Sequence, residues 1–493
     1  MSARDLLLHP RWRADELGQP IPDSPHAVSV ALPRWQDVVG YEEKRPEVMD
    51  RLRCGYPRFV IHPLVQQLAR ELAGGKACLP FPSRRCAELC AEFVRRTSRQ
   101  PAQVISWVSV FGVVTNDAGA AALRTFWQHT GLIVPSRQAE ALLAGKPAPG
   151  GGNEARRVLR QRLAGFYDCA EDDVFLTPTG MAAQFVALWA VLRRQPGSPT
   201  AQLGFPYVDT LKLQQKFGAG LTLFHNLDTL AEDLSALLQR EHLAACFCEI
   251  PGNPLLGSAD LHRITPLLRA KGVPLVADDV VATPVNVDLT RCADLIATSL
   301  TKYVAGTCDV MGGAVICNSR SPLHAELNAG MRSEHEELLW CEDAVVLEDR
   351  ARSFPHRMRQ HNDNGLFIAE RLRAHPAVEK VWYPKWESSH AYESVRRADG
   401  GWGSLVTFLP RNADTTSPRI YDRLAVCKGP SLGAEFTLAC PFTLLAHYAE
   451  LDWAESCGVS RYLIRLSVGL EEPHELWQRL DRALSETGAI PSV

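Results

Sequence analysis

From about residue 154 to 310 the chain alternates short apolar runs with amphipathic stretches, and this alternation restricts the fold more than any other feature. Strand-length apolar runs separated by helix-length amphipathic segments form repeated βα units, which assemble into a mainly parallel sheet covered by helices. The pattern predicts strands over 172–180, 201–207, 221–226, 244–254, 273–280 and 293–303, with helices such as 181–195 and 261–272 between them. Several polar motifs fall where a strand ends, the edge at which open α/β sheets bind ligands.

The 493 residues exceed what one small core needs and imply two or three domains. Residues 335–375, rich in Glu and Arg, predict long helical material exposed as a link. After Pro376 the segments VEKVWYP, GSLVTFLP and RYLIRLSVG predict strands of a second, smaller α/β domain of about 120 residues. Between about 101 and 150 the chain ends in GKPAPGGGNEA, whose Pro and Gly density marks a loop. No internal repeat is evident.

Charge excludes some functions. Lys and Arg total 53 against 56 Asp and Glu, so the net charge of -3 offers no broad attraction for nucleic acid or anionic lipid. An anionic ligand must meet a local site. The 14 cysteines lack CxxC pairs or zinc-type Cys/His spacing, and reduced thiols in a cytoplasmic protein fit them best. Cys246 and Cys248 alternate within an apolar run and read as buried small hydrophobes. The N-terminus MSARDLLLHPRWRADELG reads as neither a signal nor a transit peptide, and no stretch reaches the roughly 20 apolar residues of a membrane span.

The chemistry-bearing residues cluster at strand ends. Lys302, in SLTKY, follows an apolar strand. A desolvated amine there suits Schiff-base chemistry, although a snorkelling lysine would also fit. Asp278 ends VPLVAD one βα unit earlier; it could hold a pyridinium nitrogen protonated, or cap a helix as Asp279 could. In TPTGMAAQ, Gly180 and Met181 open a helix directly after a strand and form a phosphate cup from N–H groups and the helix dipole, to which Ser299 and Thr301 could add hydroxyls. Tyr207, in GFPYVDT, could lie over an aromatic cofactor or fill the core, and Asn253, in EIPGNP, offers an amide or makes a turn. Arg465, inside the apolar run IRLSVG, needs a carboxylate partner: a substrate, or an internal Asp or Glu.

In order along the chain, TPTGMAA, PYVDT, EIPGNP, VADD, SLTKY and RLSVGLEE resemble the motifs of the cystathionine γ-synthase family. The likeness runs from about residue 26 to 485. It implies an α/β pyridoxal-phosphate fold of the aspartate-aminotransferase type, with a mainly parallel central sheet and a smaller C-terminal α/β domain. Within that likeness Lys302 is the lysine that holds pyridoxal 5'-phosphate, Asp278 the partner of the ring nitrogen and Tyr207 the stacking ring, and these three are the catalytic set. Gly180, Met181, Ser299 and Thr301 bind phosphate, Asn253 lies near the cofactor hydroxyl, and Arg465 grips the amino-acid carboxylate. GYPRFVIHP is similar to the family's Tyr-x-Arg segment, which carries Tyr56 and Arg58 over as ligands reaching a neighbouring subunit's phosphate. Tyr56 would also border the substrate. The implied assembly is a homodimer or homotetramer with shared sites.

The likeness divides the chain into an N-terminal arm (1–75), a large cofactor-binding domain (76–330) and a C-terminal domain (331–493). An insertion at about 75–155 is of the kind found in the longer fungal-type synthases. Thr307, Asp279-Val280 and Pro57 depart from the commoner family residues and leave the cofactor set intact. The implied reaction is γ-replacement on an O-acyl-L-homoserine with L-cysteine to give L-cystathionine, in transsulfuration toward methionine. Relatives using sulfide or a carbon nucleophile, or eliminating to a ketoacid, share the same motifs. A silent protein that has kept the fold is a further alternative.

Overall fold

The computed structural model describes residues 4–488; residues 1–3 and 489–493, the tips of the expected arm and C-terminal domain, lie outside the described residues. An N-terminal segment containing the helix Trp35–Glu42 leads into a compact unit built from α1 (Pro63–Ala73), β1 (Ala77–Phe81), α2 (Arg84–Ser98), β2 (Ala102–Trp107), β3 (Val110–Thr115) and α3 (Asp117–Thr130). Its three strands form an antiparallel sheet in the order β1-β3-β2. Local chemistry sets the helix ends: the Ser83 hydroxyl accepts the Cys86 N–H at 3.1 Å, and the Asn116 side chain accepts that of Gly119 at 3.0 Å. The expected insertion is therefore a folded unit, and α1, placed in the arm on sequence grounds, belongs to it because Val65 and Leu68 share a core with Leu79 and Phe81.

The large domain follows as β4 (Val174–Thr177), α4 (Gly180–Arg194), β5 (Thr200–Leu203), α5 (Val208–Phe217), β6 (Leu221–Phe224), β7 (Ala245–Glu249), α6 (Leu261–Ala270), β8 (Leu275–Asp278), β9 (Leu295–Ser299) and β10 (Gly313–Cys317). They pair in the order β4-β10-β9-β8-β7-β5-β6. All neighbours from β9 to β6 are parallel, whereas β10 runs antiparallel between β9 and β4. The alternation thus located the parallel core but not β10. Two expected strands stop short of their polar motifs: β7 ends at Glu249, before PGNP, and β9 ends at Ser299, before Lys302. Cys246 and Cys248 are buried on β7, as expected.

The inserted unit shares its core with this domain. Phe93 of α2 stacks on Phe217 of α5 at 4.8 Å, and Phe126 of α3 meets Phe185 of α4 edge-on at 6.2 Å.

The link expected over 335–375 is two helices, Cys341–Ala351 and α7 (Phe354–Ala374). It is not an exposed strut: Met358, His361, Ile368 and Leu372 of α7 are fully buried, because the helix packs on the C-terminal sheet. That sheet comprises β11 (Val378–Trp382), β12 (Leu405–Pro410), β13 (Cys427–Lys428), β14 (Leu438–Cys440) and β15 (Ile464–Ser467), ordered β11-β12-β15-β14-β13, with α8 (Pro473–Gly488) alongside.

Candidate active site

The carboxyl ends of β4, β7, β8 and β9 open onto a cavity of about 140 Å³, closed on the far side by the N-terminal segment and β15. Gly180, Met181, Tyr207, Asn253, Asp278, Ser299, Lys302, Tyr56, Arg58 and Arg465 all line it. Ten of the eleven residues singled out from sequence therefore meet at one place. Thr301 is the exception. Its side chain is buried, and its hydroxyl donates to the Gly312 carbonyl at 3.3 Å while accepting the Gly312 N–H at 3.1 Å. These bonds to Gly312 tie down the turn that carries Lys302.

The Lys302 amine donates to Ser431 Oγ at 2.9 Å and lies 4.5 Å from the centre of the Tyr56 ring. Ser431 holds a backbone φ of 109°, a conformation that L-residues rarely adopt, and its carbonyl accepts from Arg465 at 2.8 Å. Burial alone would raise the Tyr56 phenol, but Lys302 and Arg58 outweigh it and pull its pKa below the ordinary value.

At the first turn of α4, the Thr179 hydroxyl accepts the Ala182 N–H at 3.0 Å, while the N–H groups of Gly180 and Met181 remain as helix-end donors beside the cavity. A Cβ at position 180 would come within 2.6 Å of Ser299 Cβ, so glycine alone lets the turn approach Ser299.

Asp278 ends β8 directly in register with Glu249 of β7. Its carboxylate accepts from the Val280 N–H and from Gln184 Nε2, both at 2.8 Å. Burial raises its pKa to about 7, against the pull of those two donors. Glu249 is raised too, by burial and then by Asp278, although its carboxylate accepts the Tyr207 N–H at 2.7 Å. Among the described residues no Lys, Arg or His pairs with either acid, so the site presents carboxyl groups in want of a cation. Together with the donor cup, this arrangement suits a phosphorylated pyridinium: donors for the phosphate, Asp278 for the ring nitrogen and Lys302 for the aldehyde carbon.

Arg465 is buried on β15. It donates to Asn253 Oδ1 at 3.1 Å and to the Ser431 carbonyl at 2.8 Å, and lies 4.7 Å from the Phe442 ring. Its Nε has no partner, and no carboxylate answers the guanidinium among the described residues. The internal acid that the sequence left open is absent there.

Tyr56 and Arg58 occupy this chain's own cavity. Arg58 pairs with Asp209 and donates to the Gln128 carbonyl at 2.7 Å and the Tyr207 hydroxyl at 2.8 Å. Asp209 also meets His129 Nδ1 at 3.0 Å. Burial would raise the Asp209 carboxyl, yet Arg58 and His129 bring it to about 2. Within the single chain, buried partners hold the guanidinium.

Sequence reasoning missed Gln184, Asp209, Glu249 and Ser431. The first three were visible only as members of TGMAAQ, PYVDT and EIPGNP, and nothing local marked Ser431.

Two family descriptions match the chain: "Cys/Met metabolism PLP-dependent enzyme" over residues 151–485, and "Fungal trans-sulfuration enzyme, N-terminal domain" over residues 60–135, which contains most of the inserted unit. A cystathionine gamma-synthase of Neurospora crassa is 33% identical, across 95% of this chain and 98% of that protein. An L-2-amino-4-chloropent-4-enoate dechlorinase/desaturase of Streptantibioticus cattleyicolor is 35% identical, across 92% of this chain and 95% of its own length. Among solved structures, cystathionine gamma synthase from Xanthomonas oryzae pv. oryzae in complex with aminoacrylate and cysteine superposes with a TM-score of 0.61 at 28% identity, covering 68% of this chain and 87% of that one. The matches span the residues that build the cavity, and the chain belongs to the Cys/Met metabolism family of pyridoxal-phosphate-dependent enzymes.

Proposed function

We propose that the protein catalyses γ-replacement on an O-acyl-L-homoserine with L-cysteine, forming L-cystathionine in transsulfuration toward methionine. The observation that carries this reading is Arg465: a buried guanidinium without a carboxylate partner among the described residues, opening on the cavity that holds Lys302. A substrate α-carboxylate would supply the missing charge through two parallel hydrogen bonds. The relative named cystathionine gamma-synthase, similar along nearly its whole length, supports the choice of reaction.

Bound pyridoxal phosphate supplies an electron sink for charge developing at the substrate's Cα and Cβ. The rest falls to the chain. Arg465 and Asn253 orient the amino acid, and Asp278 keeps a proton on the ring nitrogen. Lys302 would hold the cofactor, and its amine, when free, would take the Cα proton and move protons at Cβ. Tyr56, with its lowered pKa and its ring against Lys302, steers that amine. Tyr207 closes the cavity wall next to Arg58.

The relative named as a dechlorinase/desaturase favours elimination as a second reading. Offering the acetyl, succinyl and phospho esters of homoserine, each with cysteine, sulfide or no thiol, separates the two. Cystathionine should dominate with cysteine. A ketoacid and ammonia released at equal rates with or without thiol would replace this reading by elimination.

A further inference from the structure

We infer that Lys212, Glu450 and His447 form a latch across the seam between the large and C-terminal domains, and that this latch positions the guanidinium of Arg465 through Phe442. The inference rests on Arg465 meeting the substrate carboxylate and concerns what holds that guanidinium in place.

The C-terminal domain contributes one wall of the cavity. After β14 the chain enters a short helix, Phe442–Ala446, and Phe442, Leu445 and Ala446 face the space around Lys302. The Phe442 ring centre lies 4.7 Å from the Arg465 guanidinium. A cation is attracted to an aromatic face, so this ring steadies one side of a fork whose other contacts are Asn253 and the Ser431 carbonyl. Five residues are too few for a helix to hold itself together. The wall must be fixed from outside.

His447 ends that helix. Its N–H donates to the Thr443 carbonyl at 2.9 Å, and its buried ring lies among Phe205 at 5.1 Å, Trp453 at 5.8 Å and Phe442 at 6.2 Å. Phe205 belongs to the large domain, two residues before Tyr207. His447 Nδ1 meets Glu450 Oε1 at 3.1 Å, and Glu450 Oε2 accepts from Lys212 of α5 at 2.6 Å. The first turn of α5 brings Val208 and Thr210 to the same cavity. One carboxylate therefore joins the histidine behind the C-terminal wall to a lysine behind the opposite wall. The His447 hydrogen bond, opposed by partial burial and aided by Lys212, brings that carboxyl down to about 2, so it is ionised at neutral pH. His447 Nε2 is buried without a partner among the described residues, a cost that phenylalanine would avoid. The bond to Glu450 is what histidine offers here and phenylalanine does not. Lys212, Glu450 and His447 are thus positioning residues that act on the substrate through Phe442 and Arg465.

The test uses the holoenzyme and L-alanine, which carries the α-carboxylate but no γ-leaving group, with its dissociation constant read from the change in cofactor absorption. Lys212→Met and Glu450→Gln should each weaken L-alanine binding about fivefold, the upper range for a partly exposed ion pair, with melting temperature and cofactor affinity unchanged. Lys212→Arg, which keeps the charge, should bind as wild type does. His447→Phe keeps the ring contacts and removes the lone nitrogen, so it should bind L-alanine as weakly as Glu450→Gln without a lower melting temperature. Adding Lys212→Met to it should change nothing more, because both act through one carboxylate. In an Arg465→Lys background the latch substitutions should have no further effect. If Arg465→Lys binds weakly but Lys212→Met and Glu450→Gln bind as wild type does, the latch is overturned and the carboxylate role of Arg465 stands. Unchanged affinity in Arg465→Lys overturns that role and, with it, the route through Phe442. A loss of affinity in Lys212→Met that is matched by a lower melting temperature and persists in Lys212→Arg makes the pair a structural contact and also overturns the inference.

Discussion

The Lys302 amine stands 4.5 Å from the centre of the Tyr56 ring and donates a hydrogen bond to the Ser431 hydroxyl. A face-on aromatic ring attracts the ammonium form, and the amine in turn favours the phenolate. Tyr56→Phe keeps the ring and removes the ionisable group. It should lower kcat by about a hundredfold. The alkaline limb of the wild-type profile, set below the ordinary tyrosine value, should move to higher pH. A variant with wild-type kcat and an unmoved alkaline limb would remove Tyr56 from the chemistry.

Arg465→Lys keeps a positive charge but loses the fork that can meet a carboxylate in parallel. Because no acid pairs with Arg465 among the described residues, the variant should retain cofactor and raise KM, lowering kcat/KM at least about tenfold. Melting temperature, bound cofactor and KM measured on one preparation decide the matter. Unchanged KM with a fallen melting temperature would make Arg465 a structural residue.

Asp278 leaves a pH signature on stability in the cofactor-free protein. Its folded pKa, about 7, lies above the ordinary carboxyl value of 3.8, so the folded state holds the proton more tightly than the unfolded one. Stability is therefore lost as pH rises from about 4 through 7 and is fully present below that window. Asp278→Asn removes the titration, so at pH 8 the cofactor-free variant should be more stable than wild type by about 2 kcal/mol, after allowance for the opening to the cavity. At pH 4 the two should converge. Activity should nevertheless fall sharply. Denaturant midpoints that differ equally at both pH values would contradict the assignment.

Gly180→Ala places a methyl group within 2.6 Å of Ser299 Cβ and pushes apart the two walls of the phosphate cup. Cofactor affinity should drop at least about tenfold while the fold persists, since one overpacked contact costs about 1–3 kcal/mol. Gly165→Ala, where a Cβ meets nothing within 4 Å, is the matched control. Equal cofactor affinity in both variants would show that the turn has room to spare.

What the sequence reveals of this site follows from how local each signal is. Asp278 closes an apolar strand and Lys302 and Asn253 follow just beyond two others, so their placement at one sheet edge could be read from the βα pattern. Arg465 stood out as a charge inside an apolar run. Glu249 did not, because an acid closing a strand looks like a turn residue until its register with Asp278 is known. β13 and β14, with two and three residues, are too short to show periodicity, and β10 runs against the parallel pattern that revealed its neighbours. The segment GYPRF identified two cavity residues but not their surroundings, because Trp127, which donates to the Pro57 carbonyl, and Trp35 are distant in sequence from the motif.

Ser431 gives two of its atoms to two different charges, the hydroxyl to Lys302 and the carbonyl to Arg465. One Cα therefore anchors the contacts of both the reactive amine and the guanidinium, and a substitution that moves this Cα disturbs both. Its φ of 109° is a conformation in which a side chain is strained. A glycine at 431 would relax the backbone but remove the hydroxyl, whereas an alanine would keep the strain and still lose the hydroxyl. Serine alone among these three gives the amine its hydroxyl at the residue whose carbonyl holds the guanidinium.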